Sequence, residues 1–127
     1  MNNTARSVVE RMFVAFSNND IEGFLETVSP DTIWIYHGTQ VIPKGTYEGI
    51  EGARAFISNI INSTEILSFE PQQYICDNST VVVLGREHQR VKKSGKELKQ
   101  KWAQVYTVEN DLIARMEEFA TSEVVGK

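Results

Sequence analysis

The chain has 127 residues, 41% of them hydrophobic and 24% charged, which suits one domain, residues 1–127, built around one core in a soluble globular protein. A formal net charge of −4 argues against a nucleic-acid partner, and no apolar run reaches the ~18 residues that span a bilayer, so neither nucleic acid nor membrane is expected. No signal-peptide pattern opens the chain and Cys76 stands alone, so no internal disulfide is possible and a reducing cytoplasm is the expected compartment.

Residues 4–18 read as a helix, because Val9, Met12, Phe13 and Phe16 fall on one face and Thr4 can cap its start. Asn18-Asn19-Asp20 ends it. Asp20 can cap a short second helix running to Val28, with Phe24, Leu25 and Val28 inward, and Ser29-Pro30-Asp31 breaks that helix. Residues 32–37 form the first predicted strand, a run of β-branched and aromatic residues flanked by the titratable Asp31 and His37. Residues 38–49, with Pro43, Gly45 and Gly49, read as a loop lying over something. Residues 50–61 form a third helix, with Ala53, Phe56, Ile57, Ile60 and Ile61 on one side.

From residue 65 onward the pattern is β. Strands are predicted over 65–76 (interrupted at Pro71), 80–91, 97–109 and 112–121, and residues 122–127 are expected to fray. They are joined by a turn at Asp77-Asn78, a hairpin loop over 92–96 and a tight turn at Asn110-Asp111. Lys92, Lys93, Lys96, Lys99 and Lys101 straddle Ser94-Gly95 and read as a solvated hairpin tip. Three helices with one strand among them, then four antiparallel strands, imply an α+β fold with helices on one face of a curved sheet. Strands this long need bulges to bend, and a bent sheet with helices across its concave side makes a cone with an open mouth.

This order of elements resembles the NTF2-like superfamily, and within it the SnoaL-like and ketosteroid-isomerase-like members. The resemblance rests on residues 8–16 of the first helix, the approach Asn18-Asn19-Asp20-Ile21-Glu22-Gly23-Phe24 and residues 31–38. It continues through Gly45-Thr46-Tyr47-Glu48-Gly49 and residues 105–113. It implies a cone-shaped fold with a strongly bent, mostly antiparallel sheet and the three helices of the N-terminal half on its concave face. It does not carry the isomerase chemistry with it. The position of that chemistry's carboxylate base falls on Tyr36, its oxyanion tyrosine on Met12, and its protonated aspartate on or near Gln104. The aspartate of SnoaL-like cyclases falls near Thr121. Steroid isomerisation is therefore not expected of this chain.

Strand alternation places Tyr36 and Trp34 on one face. On residues 80–91 the resemblance turns Val82, Leu84, Arg86 and His88 inward, leaving Val81, Val83, Gly85 and Glu87 outside. The matching sets are Trp102, Gln104 and Tyr106 on the next strand and Met116, Glu118 and Ala120 on the last, which a bulge would exchange for Glu117, Phe119 and Thr121. The expected pocket then has walls of Trp34, Tyr36, Phe56, Leu84, Trp102 and Met116 and polar groups Arg86, His88, Gln104 and Glu118. His88, Glu118 and Tyr36 are the candidate catalytic residues, with Arg86 holding a carboxylate or enolate oxygen.

Plainer readings stand beside these. Arg86 and Glu118 also fit a structural ion pair, His88 fits a solvated residue near the hairpin, and His37 fits the surface. Two histidines without a cluster of cysteines or carboxylates make no metal site, and no cofactor is expected. The expected ligand is a small apolar or anionic organic molecule. Val81, Val83, Val91, Ala103, Val105 and Thr107 are expected on the outer sheet face, where they would join two copies in a homodimer. Two functions remain open: a cofactor-independent isomerase, cyclase or hydrolase acting on a cyclic or polyketide-like compound, and a non-catalytic ligand-binding or assembly domain.

Overall fold

The computed structural model describes residues 4–37 and 44–122. Its elements are α1 (Thr4–Ser17), α2 (Ile21–Leu25), β1 (Val28–Tyr36), β2 (Gly45–Glu48) and α3 (Gly49–Ser63), then β3 (Thr64–Asp77), β4 (Thr80–Val91), β5 (Glu97–Glu109) and β6 (Leu112–Ser122). They form a six-stranded sheet in the order β2-β1-β6-β5-β4-β3, bent into a cone with the helices across its concave face. Only the β1–β6 pairing is parallel. Among the described residues no helix is long and apolar enough to cross a membrane.

The helices form where their apolar faces can be buried. Val8, Val9, Met12 and Phe13 of α1 and Ala53, Phe56 and Ile57 of α3 are all buried. The Asp20 side chain caps α2 by accepting from the Gly23 N–H at 2.9 Å. That helix stops at Leu25, short of the expected Val28, because Val28 already pairs with Ile113 as the start of β1. Part of the expected loop is also strand: Gly45–Glu48 pairs with residues 33–36. The rest of that loop, residues 38–43, lies outside the described residues.

Two local features decide which side chains face inward. The hairpin between β4 and β5 closes with a Val91 N–H to Lys96 carbonyl bond of 2.8 Å, so its loop is residues 92–95, one residue shorter than expected. One residue in a hairpin loop turns a whole strand over. Trp102, Gln104 and Tyr106 face inward and pair with Gly85, Val83 and Val81. Val81 and Val83, expected outside, are therefore core residues at 0% exposure. Val82, Leu84, Arg86 and His88, expected inside, lie on the convex face with Ala103 and Val105.

The second feature is on β6. Asn110 and Asp111 both take positive φ, 53° and 63°, as a two-residue hairpin turn requires. Val108 then pairs with Ile113, but Thr107 pairs with Arg115, leaving Ala114 as a bulge. Ile113 points inward, and the extra residue brings Met116 and Glu118 inward after it. The expected inward set is thus the one observed, and it is the bulge that produces it.

Behind the site, Trp34 is packed between Phe24 and Phe56, with ring centroids at 5.1 and 5.5 Å. Its indole N–H donates to Thr32 Oγ1 at 2.9 Å, and that hydroxyl donates to the Ile113 carbonyl at 2.8 Å. This chain of bonds ties β1 to β6. Burying side chains of this kind contributes about 1.5–3 kcal/mol each.

Candidate functional site

Between the concave face and the three helices lies a cavity of about 50 Å³. Met12, Phe13 and Phe16 line it from α1, Phe24 from α2, and Phe56, Ile57 and Ile60 from α3. The strands supply its polar side: Tyr36 from β1, Glu87 and Gln89 from β4, Gln100, Gln104 and Tyr106 from β5, and Glu118 from β6. No Lys, Arg or His is among the described residues that line it.

Glu118 sits across the sheet from Gln104 on one side and Tyr36 on the other. The Tyr106 hydroxyl donates to Gln104 Oε1 at 2.5 Å, and Gln104 Nε2 donates to Glu118 Oε1 at 3.2 Å. Tyr106 is fully enclosed, and burial, with the Glu118 charge next in importance, holds its phenol well above the ordinary value. It therefore stays a donor, which fixes the amide of Gln104 so that its NH₂ faces Glu118. Glu118 is 5% exposed. Burial pushes its carboxyl up to about 7, against the smaller opposing effect of the Gln104 bond.

Glu87 lies opposite Phe69 and Gln100. Burial, then the Glu118 charge, pushes its carboxyl up to about 8. Gln100 is 3% exposed, and its Oε1 and the Trp102 Nε1 are buried without a hydrogen-bond partner among the described residues. An unpaired buried acceptor is costly unless something else meets it, and this one belongs to a residue that lines the cavity. Trp102 stacks on Phe69 at 5.1 Å and lies over Gly85, where a Cβ would come within 2.4 Å of the indole. Only glycine lets that ring rest against β4.

Of the residues singled out from the sequence, Trp34, Tyr36, Phe56, Gln104 and Glu118 line the cavity. Trp102 and Met116 are buried on the inward face but are not part of its lining. Leu84, Arg86 and His88 are corrected to the convex face. There Leu84 and Arg86 border a shallow groove with Ala103 and Phe119, and His88 Nε2 lies 2.8 Å from Glu97 Oε1. The expected row Arg86–Gln104–Glu118 is replaced by Gln104–Glu118–Tyr36. His37 is on the surface, its Nε2 2.8 Å from Glu117 Oε2.

Glu87, expected on the outer face, lines the cavity instead, and so do Gln89 and Gln100, which the sequence did not single out. The first two share the parity of Val81 and Val83, and a four-residue hairpin loop would have pointed to them. Among the described residues no three His, Cys, Asp or Glu side chains gather as a metal site would require.

Residues 9–116 match the family model of the SnoaL-like domain. No curated protein matches the chain. Among solved structures, an NTF2-like protein from Burkholderia xenovorans LB400 is 25% identical, with a TM-score of 0.83 over 93% of this chain and 89% of that one. An NTF2-like protein of unknown function from Burkholderia pseudomallei K96243 is 22% identical, with a TM-score of 0.81 over 94% and 92%. A provisionally named isomerase of Bacillus subtilis is 16% identical, with a TM-score of 0.81 over 95% and 90%. The last two, at these identities, show a shared fold.

Proposed function

The chain belongs to the SnoaL-like family, and from that premise we propose that its cavity is an acid–base site, moving a proton on a small organic molecule, cyclic or polyketide-like, without a cofactor. One observation carries the reading: two carboxyls, Glu87 and Glu118, share a cavity among whose described lining residues there is no cation, and both ionise near neutrality. Groups poised near the working pH transfer protons best in both directions. At pH 7 Glu87 is mostly protonated and supplies the acid, while Glu118, oriented by Gln104 and Tyr106, supplies the base. An enolisable carbonyl compound between them loses its α-proton to Glu118 as Glu87 protonates the oxygen. The enol then takes a proton back at carbon from Glu118 and returns the oxygen proton to Glu87, so the protons balance. Tyr36, beside Glu118, closes the site on the β1 side.

The test is deuterium uptake at the α-carbon of small ketones and 1,3-diketones in D₂O, followed by NMR. Wild type should exceed buffer, and Glu118→Gln should lower the rate by about 10²–10⁴-fold. A wild-type rate equal to buffer, or a variant equal to wild type, overturns the proposal. The volume of about 50 Å³ favours a second reading, a binding module for a very small molecule. Under that reading thermal shift finds ligands while exchange stays silent.

The convex face supports a further part of the proposal, pairing of two copies. Val82, Leu84, Ala103 and Val105 lie together there beside Phe119, which is 49% exposed. Light scattering should give a dimer mass, and Val105→Glu, which would bury a charge at the contact, should give a monomer. A monomeric wild type removes this part.

A further inference from the structure

The cavity has a neighbour. On the far side of Phe16, Phe69 and Thr64 lies an open vestibule of about 390 Å³, and these three residues line both spaces. Phe16 and Phe69 meet edge to face with centroids 5.0 Å apart, and both rings are only part-buried. The partition is thus side chains in rotamers that can change, not backbone. The inner chamber alone is far smaller than the roughly 300–1,000 Å³ of ordinary ligand sites, whereas the two spaces together fall within that range.

The two spaces differ in charge. Around the chamber are Glu87 and Glu118 and, among the described residues, no cation. The vestibule has Lys92, the one Lys, Arg or His among the described residues that line either space. Lys92 is held in place at both ends. Its backbone N–H donates to the Ser63 carbonyl at 2.9 Å and its Nζ to the Ile61 carbonyl at 2.8 Å, both at the C-terminal end of α3. An ammonium has three donors, so this leaves capacity for a ligand. The one carboxylate among the described residues that line the vestibule, Glu65, is already met by Arg90 at 2.8 Å.

We propose that chamber and vestibule form one binding site, joined when Phe16 and Phe69 part, for an oxo-carboxylic acid whose neutral keto end enters the chamber and whose carboxylate rests at Lys92. This rests on the acid–base reading of the chamber and names its substrate class. The keto end meets Glu87 and Glu118, and a donor beside it, such as the enol hydroxyl, meets the unpaired Gln100 Oε1. Two carboxyls in the chamber turn an anionic head away, so the ligand can sit in only one direction.

The experiment is calorimetric titration with ω-acetylalkanoates of increasing chain length and with their methyl esters, on wild type and Lys92→Gln. Lys92 is exposed, so the variant should fold. One chain length should bind best, the acid should bind more tightly than its ester, and Lys92→Gln should weaken the acid roughly tenfold while moving the ester by less than about twofold. Added salt should weaken the acid alone. Equal affinity of acid and ester, no effect of Lys92→Gln on the acid, or no binding of either overturns the proposal. Deuterium exchange on small ketones separates the two failures: if it persists while Lys92→Gln changes nothing, only the vestibule assignment falls.

Discussion

Glu117 and Glu118 are consecutive residues on one strand, yet they behave as different acids. Glu117 faces the convex surface, with His37 Nε2 at 2.8 Å and Arg115 Nη1 at 3.3 Å from its oxygens. The hydrogen bond from His37 is the main cause holding its carboxyl below the usual range. Glu118 faces the cavity, where burial dominates and its carboxyl rises to about 7. Residue type is the same and backbone position differs by one, so the face of the sheet sets the chemistry. β4 repeats the contrast: Glu87 looks into the cavity and is raised, while His88 looks out and meets a surface carboxylate.

The contrast can be broken most severely just past the bulge. Deleting Glu117 leaves no register that keeps both Met116 and Glu118 inward: with the bulge kept, Glu118 turns outward and Phe119 inward, and with it removed, Met116 turns outward and Arg115 inward. The expected cost is of the order of the whole folding free energy, about 5–15 kcal/mol, so near-ultraviolet circular dichroism should show no fixed aromatic packing. A native spectrum would mean that strand parity past the bulge does not set the faces.

Gentler substitutions sharpen the comparison. Glu118 has a folded value of about 7 against an ordinary value of 4.5, so between these the folded state binds the extra proton. Its contribution to stability is intact below about pH 4.5 and falls as pH rises through 7, by roughly 3 kcal/mol in all. Glu118→Gln should remove that loss, making the variant more stable than wild type in urea at pH 9 and little different at pH 5. Glu117→Gln should act the other way and weakly: its lowered value gives stability that is present at neutral pH and lost on acidification, and the pair is exposed. One urea series at pH 9, 7, 5 and 3 checks both. Equal pH profiles for the two variants would dissolve the distinction.

Much of this geometry was legible in the sequence because it depends on local pattern. Trp34 and Tyr36 alternate inward on any strand, Phe56 falls on the apolar stripe of its helix, and Gln104 follows from Trp102 two positions before it. Gly85 gave no hint of its purpose, since its reason is an indole arriving from the neighbouring strand. The inward face of β4 was not legible, because it depends on whether a hairpin loop has four residues or five, and Lys96 can serve either. Arg86 and Glu87 therefore exchanged places relative to expectation, and with them the site changed from one holding a fixed cation to one holding two acids. The last strand shows that agreement can rest on a detail not foreseen: Glu118 is inward as expected, by way of the bulge at Ala114.

The single parallel pairing has a consequence for how the protein is made. Thr32 bonds to the Ile113 carbonyl across 81 positions of chain. At about 5–20 residues per second, a ribosome needs roughly 4–16 s to deliver the second after the first. The β3–β4–β5 meander can form as it emerges, because its contacts are local. The strand carrying Trp34 and Tyr36 cannot, and until β6 appears one of its edges is open to any other extended chain. The stretch richest in aromatic and β-branched residues is thus the one kept waiting longest, and it is there that a nascent-chain chaperone would be expected to hold this protein.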